Sequence, residues 1–448
     1  MEISVIGLGK LGAPLAAVLA SKGHQVIGVD LNPDFVNKIN QGIAPVPEPC
    51  LQELISTHQS RLKATLDYEE AILHSDVTFV IVPTPSDEEG LFTNQYLLKA
   101  VEQIGKAIAK KSAYHLVVIT STVIPGSTDG EIRQTLETTS TRKVGSQLGL
   151  CYNPEFIALG SVIRNMLYPD MILIGESDQK AGAILEEIYR TSCENNPPVK
   201  RMSLVNAELA KISINTFVTT KISYANMLSD LCDRLPGGDV NVVTEAIGLD
   251  SRIGTKYLKA AVAFGGPCFP RDNVALVAFA EKVGARADIA KATQEINAYQ
   301  NERLLNLIQQ QAPTKKIGIL GLSYKPGTYV VEESQGIHLA HQLVEKGYEL
   351  SVYDPMALDE ARKFLSQKVQ IATSVHDCLC QSDLVVILIP WPEFSLEITP
   401  HALGQTGSNK VIVDCWRILA QSEFSQLCQL VYLGYGQNQG ASDTLALR

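Results

Sequence analysis

The residues best equipped for chemistry lie in the run Phe264-Gly265-Gly266-Pro267-Cys268-Phe269-Pro270-Arg271-Asp272. Adjacent glycines permit a close backbone approach or a positive φ, and the two prolines restrict the chain on either side of the thiol. Such framing can present Cys268 as a nucleophile. Arg271 can favour its thiolate by charge, and Asp272 can orient water or accept a proton. The competing reading is a small apolar cysteine buried in a loop. A second set, Asn206-Ala207-Glu208-Leu209-Ala210-Lys211 leading to Asn215, puts Lys211 and Asn215 four residues apart, on one helical face. Together they can bind an oxygen on which negative charge develops, the task of an oxyanion site. Their bland alternative is an exposed lysine and a helix-surface asparagine. Asn153-Pro154-Glu155-Phe156 adds a carboxylate on a rigid turn, and Thr120-Ser121-Thr122 adds hydroxyls ahead of Pro125-Gly126. Whether these groups converge depends on the fold.

The elements that must position them begin at the first residues. Ile3 to Ile6 reads as a strand, Gly7-Leu8-Gly9-Lys10-Leu11-Gly12 as a glycine turn, and the chain to about Lys22 as a helix. Gly23-His24 turns into a second strand, QVIGVD, ending at Asp30. A lone G-x-G-x-x-G is weak, but here it follows a strand and opens a helix, the context that the pattern requires. Gly7 makes the tight turn, Gly9 leaves room for a pyrophosphate, and Gly12 allows close helix packing. The N–H groups at the helix start then face the phosphates. Asp30 can accept hydrogen bonds from an adenosine ribose and repels the extra phosphate of NADP, so the expected cofactor is NAD. The plain alternative is that the glycines only relieve steric strain and that Asp30 is an ordinary strand-end residue.

The same organisation returns near the other end. Lys316 to Leu320 is a strand, Gly321 opens a turn, residues 334–346 can form a helix, and ELSVYD ends at Asp354 as QVIGVD ends at Asp30. SDLVVILIP at 382–390 echoes SDVTFVIVP at 75–83, HLVVIT supplies a strand near 115–120, and KVIVD at 410–414 closes the series. Three echoes in one order predict two related Rossmann-like, doubly wound α/β domains. Apolar positions through residues 203–235, among them Leu204, Leu209, Ile212, Phe217, Ile222 and Leu228, fit a long helix, and the 200–300 region reads as a mainly helical connector. Its length suits a dimer interface or an interdomain spine; Lys221 and Asp230 there need be no more than solvated charges. The expected domains are 1–198 for NAD, 199–300 for the helical and dimerising region, 301–436 for the second α/β unit, and a tail at 437–448.

Composition bounds the function class. With 45% hydrophobic and 19% charged residues over 448 positions, two or three globular domains are expected and long disorder is not. A formal charge of −10 argues against broad attraction to nucleic acid or an anionic membrane. The acidic start MEISVIGLGK lacks the character of a secretory signal, and no long uninterrupted apolar segment suggests a membrane span. Nine scattered cysteines do not form a small disulfide framework, and the Cys378/Cys380 pair has no second pair to make a zinc site. The expected setting is cytoplasmic, with no metal in the chemistry.

In order, GLGKLG at the start, VPTP at 82–85, TSTVIPG at 120–126, NPEF at 153–156, NAELAK at 206–211, SRIG at 251–254, FGGPCFPRD at 264–272 and GLSYKPGT at 321–328 resemble the UDP-glucose/GDP-mannose dehydrogenase family across roughly residues 1–436. The resemblance implies a two-step, four-electron oxidation of a nucleotide-hexose C6 alcohol to the uronate, with two NAD molecules reduced. It implies that Cys268 forms a thiohemiacetal and then a thioester, which water hydrolyses. Lys211 and Asn215 would stabilise oxygen charge, Asp272 would assist proton transfer through water, and Glu155 and Thr122 would serve the late hydrolytic step. Thr84 and Thr122 would join Gly7, Gly9, Gly12 and Asp30 around NAD. Glu155, Lys211 and Asn215 would touch the substrate, Phe264 and Gly265 would line the sugar pocket, and Lys325 would stand at the junction of substrate and active site. Arg252 would reach the sugar site of a neighbouring subunit, which implies a homodimer at least. Arg417, in a slightly altered DCWR motif, would make a nucleotide or interdomain contact.

The chain also departs from the family pattern. Leu159 stands where a glutamate is usual after NPEF, and Tyr329-Val330-Val331-Glu332-Glu333-Ser334 lacks the usual acidic pair and arginine. Loss of an arginine and gain of Glu332 alter the local potential and bear on specificity. The GGPCFP form is closer to the UDP-glucose and GDP-mannose branches than to the branch with histidine before cysteine. The expected conversion is therefore UDP-glucose to UDP-glucuronate, with GDP-mannose or another nucleotide sugar behind it. A single-step alcohol dehydrogenase, an epimerase-related enzyme and a catalytically silent nucleotide-sugar-binding homologue are the other readings.

Overall fold

The computed structural model describes residues 1–157, 159–406 and 410–436; the expected tail at 437–448 lies outside the described residues. The chain divides into two compact units, Met1–Ser213 and the remainder from Ile214.

The first unit is built on eight strands: β1 Glu2–Ile6, β2 Gln25–Val29, β3 Leu62–Thr65, β4 Val77–Val80, β5 His115–Ile119, β6 Leu148–Tyr152, β7 Ile172–Glu176 and β8 Val199–Ser203. They lie in the order β3-β2-β1-β4-β5-β6-β7-β8. The first six are parallel, whereas β7 runs antiparallel to β6 and β8 follows β7 in parallel. Both faces are buried because both faces are apolar. Ile3, Val5, Val77, Phe79, Leu116 and Val118 join one core; Ile6, Val80, Val117 and Ile119 join the core opposite. That alternation is the two-residue period of a strand covered by helices on each side. The strand order reverses between β1 and β4, and at such a reversal the chain ends splay to leave a crevice. The loops that leave β1 and β4 there are Gly7–Leu11 and Ile81–Pro85.

The second unit repeats the plan with six parallel strands: β9 Lys316–Leu320, β10 Glu349–Tyr353, β11 Gln370–Ile371, β12 Leu384–Ile387, β13 Lys410–Asp414 and β14 Cys428–Tyr432. Their order, β11-β10-β9-β12-β13-β14, reverses between β9 and β12. Gly321 (φ 107°) follows β9 as Gly7 (φ 93°) follows β1. A Cβ on Gly12 would sit 1.7 Å from the Gly7 carbonyl oxygen, and a Cβ on Gly336 would sit 2.4 Å from that of Gly321. Each glycine pair lets a helix start against its strand turn. In the second unit the segment from Leu322 to Gln335, which carries Lys325, is inserted between the two glycines. Asp354 differs from Asp30 in its surroundings. It is fully buried and accepts from the N–H groups of Leu322, Ser323, Met356 and Ala357, the Ser323 hydroxyl and the Trp391 indole. A carboxylate so occupied braces the turn and has little left for a ribose.

The helix Leu204–Asp233 crosses the boundary between the units, and the expected long helix over 203–235 matches it within two residues at each end. The second unit also holds helices Val240–Gly248, Phe269–Lys282 and Asp288–Gln311.

Candidate active site

The glycine turn of the first unit is shaped around an absent volume. A Cβ at Gly7 would fall 2.1 Å from the Ile81 carbonyl oxygen, and Gly12 is equally constrained by Gly7. A Cβ at Gly9 would meet nothing within 4 Å. Two glycines are thus required by the protein itself, and the middle one faces open space, which is the arrangement that admits a pyrophosphate. Asp30 accepts from the Leu8 N–H at 2.6 Å and the Asn32 N–H at 2.8 Å, which fixes its carboxylate at the end of β2. These residues fit a bound NAD. Across the reversal, the buried Thr84 hydroxyl donates to the Thr122 carbonyl at 2.7 Å, and the Ser121 hydroxyl accepts from the Val82 N–H at 2.8 Å. One hydroxyl from the loop after β4 (Thr84) and one from the loop after β5 (Ser121) therefore tie the two loops together.

The contrast between the glycines is testable. Gly9→Val should raise the KM for NAD by about one to two orders of magnitude with little change in melting temperature, since only a bound ligand meets the new side chain. Gly12→Ala should cost about 3 kcal/mol and lower the melting temperature by roughly 6–12 °C, because the new methyl overlaps backbone. Thermal melts and NAD titration of both variants check this.

Beyond β6, the Asn153-Pro154-Glu155-Phe156 turn is held by its own polar groups. The Asn153 side chain donates to the Leu173 carbonyl at 2.9 Å and accepts from the Tyr189 hydroxyl. That hydroxyl also lies 3.4 Å from the Glu155 carboxyl. Enclosure pushes the Glu155 carboxyl up to about 7, against the opposing pull of the Lys211 charge and the Tyr189 hydroxyl. Lys211 is buried, with its ammonium 2.6 Å from the Glu155 carbonyl oxygen and 4.9 Å from the centre of the Phe156 ring. The exposed-lysine alternative is excluded.

In the second unit, Cys268 is exposed, unbridged and placed at the start of helix Phe269–Lys282. The amide end of a helix favours negative charge at such a sulfur. A buried core cysteine is not what the fold contains here. One turn on, Asp272 is 2% exposed and accepts from the Asn215 amide at 2.6 Å. Gly266 (φ 85°) packs under the Tyr324 ring, which leaves no room for a Cβ. The Lys325 ammonium stands 5.9 Å from the centre of that ring. Burial raises the Tyr324 hydroxyl's pKa, with a further contribution from the charge of Cys268. Phe264 is buried, its ring edge-on to Phe269 at 6.3 Å.

Known families provide an independent comparison. The chain matches the NAD binding domain of the UDP-glucose/GDP-mannose dehydrogenase family over residues 1–193, its central domain over 205–299 and its UDP binding domain over 318–421. The chain belongs to this family. It is 36% identical to a UDP-glucose 6-dehydrogenase of Haloferax volcanii over 94% of this chain and 98% of that protein. It is also 36% identical to a GDP-mannose 6-dehydrogenase of Pseudomonas aeruginosa, over 92% and 96% of the two chains. A solved UDP-glucose dehydrogenase from Pyrobaculum islandicum superimposes with a TM-score of 0.87 at 34% identity, covering 96% of each chain. The protein is an NAD-dependent enzyme of the nucleotide-sugar dehydrogenase class, acting at C6.

Two further expected site residues of this dehydrogenase, Arg252 and Arg417, have local partners in the second unit. Arg252 is exposed and paired with Asp250 at 2.6 Å. Arg417 (φ 54°) is held inside the second unit: it donates to Asp239 at 2.6 Å and to the carbonyls of Leu433 and Gly434 at 2.9 and 2.7 Å. Its planar group also lies against Tyr432 and Tyr435, so its visible work is to clip the start of helix Val240–Gly248 to the chain after β14. Leu159, in place of the usual glutamate, packs against the core of the first unit. Glu332 and Glu333 meet the cysteine loop through their backbone: the Glu332 carbonyl accepts from Gly266 N–H at 3.1 Å, and the Glu333 carbonyl oxygen would lie 2.1 Å from a Cβ on Gly265.

Other residues escaped notice in the sequence. Glu208 has no solvent exposure and accepts from the Gly126 and Thr128 N–H groups at 2.6 and 2.8 Å, so it holds the TSTVIPG turn in place. Its position inside NAELAK, three residues before Lys211, was the available signal. Tyr189 and Asn297 gave none, since each sits in an ordinary helical pattern.

Proposed function

We propose that this dehydrogenase converts UDP-glucose to UDP-glucuronate through covalent intermediates on Cys268. The observation that carries the reading is the exposed thiol at a helix start, one turn from the buried Asp272, which accepts from Asn215. UDP is favoured by the match to the UDP binding domain and by the relatives from H. volcanii and P. islandicum, both named for UDP-glucose. In the same reading, residues 1–198 bind NAD, 199–300 form the central region and 301–436 recognise the nucleotide sugar.

NAD held at Gly7, Gly9, Gly12, Asp30, Thr84 and Thr122 supplies the hydride acceptor for both oxidations. The chain's own residues do the rest. Once the alcohol is oxidised to the aldehyde, Cys268 Sγ adds to the carbonyl carbon, forming a C–S bond while the oxygen takes a proton. Lys211 and Asn215 stabilise the oxygen as it gains charge. Keeping the aldehyde bound prevents its escape between the two oxidations. After the second oxidation water attacks the thioester carbon, the C–S bond breaks, and the electron pair returns to sulfur. Asp272 moves protons at the cysteine. Glu155, its carboxyl raised toward neutrality by burial, takes the proton from water, which Thr122 helps to hold. The sum is R–CH2OH + 2 NAD+ + H2O → R–COO− + 2 NADH + 3 H+. Phe264, Gly265 and Lys325 contact the sugar nucleotide, and Arg417 supports the domain that binds it.

A homodimer fits the long helix. Phe217, Tyr224 and Leu231 recur at seven-residue spacing, with Met227 and Leu235 beside them, and all five are exposed. A repeat of that kind makes one apolar stripe, roughly 20 Å long over fourteen residues, which a second copy would cover. Arg252 would then serve the partner's sugar site. Among the described residues, no helix is long and apolar enough to cross a membrane. A reducing cytoplasm suits a reaction that depends on an unbridged thiol.

The test is NADH formed per sugar consumed, over a panel of UDP- and GDP-hexoses. Two NADH with UDP-glucose are expected. Two with GDP-mannose alone would move the substrate to that nucleotide. One NADH with released aldehyde, or none despite NAD binding, would replace the double oxidation with a single-step or silent homologue.

A further inference from the structure

The cysteine loop is gripped from behind by a residue with no part in the scheme above. Asn297, half-buried on helix Asp288–Gln311, accepts from the Phe264 N–H at 2.7 Å and donates to the Phe264 carbonyl at 2.9 Å. One amide side chain thus satisfies both polar groups of a single loop residue, as a neighbouring strand would. The Gln335 amide adds a donation to the same carbonyl at 3.2 Å. Two residues further, Gly266 N–H is held by the Glu332 carbonyl. On the other side, Asp272 N–H donates to the Cys268 carbonyl at 2.8 Å, which anchors the cysteine to its helix. Only Pro267 stands between the held Gly266 and Cys268, and its ring allows little change in φ.

We propose that Asn297 is a positioning residue for the covalent chemistry: by fixing the Phe264 peptide on both sides it sets where the Cys268 thiol points. The inference rests on the reading of Cys268 as nucleophile. Misplacement by about 1 Å costs on the order of 10²-fold in rate when reacting atoms must be aligned. A side chain that held only the sugar pocket would change substrate affinity. One that holds the thiol changes turnover and the thiol's own reactivity.

The test compares Asn297→Ala, the isosteric Asn297→Asp and Gln335→Met, all in the full chain. Asn297→Asp keeps volume and the bond from Phe264 N–H but sets a carboxylate oxygen against the Phe264 carbonyl. The readouts are kcat, the KM for NAD, and iodoacetamide alkylation of Cys268 relative to the exposed Cys50 and Cys380, resolved by peptide mass spectrometry. Both Asn297 variants should lose about 10- to 100-fold in kcat with the KM for NAD within about twofold. Their Cys268-to-Cys380 alkylation ratio should shift at least about threefold, and Gln335→Met should move both readouts in the same direction by less. An unchanged alkylation ratio in folded Asn297→Ala overturns the proposal, whether or not kcat falls. Full activity in Cys268→Ser would instead remove the reading beneath it, while leaving the alkylation comparison interpretable. If Asn297→Ala fails to fold, the alkylation ratio of Asn297→Asp decides the question in the same way.

Discussion

Cys268→Ser should abolish double oxidation: NADH formation from the nucleotide sugar falls at least about 10³-fold, while NAD binding and melting temperature stay near those of the parent. Stability is spared because the thiol is exposed at the helix start and serine is nearly the same size. Serine can still add to an aldehyde, but its hydroxyl is a far weaker nucleophile near neutral pH, and an alkoxide is a far worse leaving group than a thiolate. The sharpest readout is single-turnover stoichiometry. At most one NADH per site, with aldehyde accumulating, locates the defect after the first oxidation. Two NADH per sugar from the variant would show that sulfur forms no obligatory bond.

The first βαβ unit could be read almost residue by residue, because its signals are local. Gly7, Gly9 and Gly12 each answer a different steric demand, and each demand is visible in the fold as an overlap or an opening. The echo of 75–83 in 382–390 likewise gave β4 and β12, although the strands are confined to Val77–Val80 and Leu384–Ile387. Long-range elements were not legible. Nothing local in Ile172–Glu176 says that it will run against β6, and the two-residue strand Gln370–Ile371 gains its identity only from β10.

The second glycine turn was hidden for a different reason. Its two glycines play the roles of Gly7 and Gly12, but the Leu322–Gln335 segment separates them, so the six-residue pattern disappears while the packing survives. At the site, glycine and proline around Cys268 advertised an unusual loop. Asn297, Tyr189 and Glu208 did not advertise their partners, which lie 33, 36 and about 80 residues away in the chain. Lys211 illustrates the middle case: its spacing suggested one helical face with Asn215, but its burial against the Glu155 carbonyl, and the Asn215 amide on Asp272, had to be seen.

Lys211→Met should give the other large effect: if the buried Lys211 charge stabilises the developing oxygen charge as proposed, its removal lowers kcat by about 10²–10³-fold. Methionine keeps most of the apolar stem, so packing is largely retained. The variant also carries a signature in pH. Enclosure holds the Glu155 carboxyl at about 7 and the Lys211 charge restrains that rise, so without the ammonium Glu155 must ionise at still higher pH. If ionised Glu155 takes the proton from water, the rising limb of kcat with pH moves alkaline in Lys211→Met and vanishes in Glu155→Gln.

Stability obeys the same carboxyl with the opposite sense. Between its ordinary value of 4.5 and about 7 the folded chain binds more protons at Glu155 than the unfolded chain does. This group's contribution therefore declines as pH rises through that window, by about 3 kcal/mol in all, and the penalty persists above it. Glu155→Gln should consequently be more stable than the parent at pH 8 and lose that advantage near pH 4, even as hydrolysis slows. A rate profile in Lys211→Met that keeps the parent's limb would separate Glu155 from the water step and leave Lys211 with electrostatic stabilisation alone.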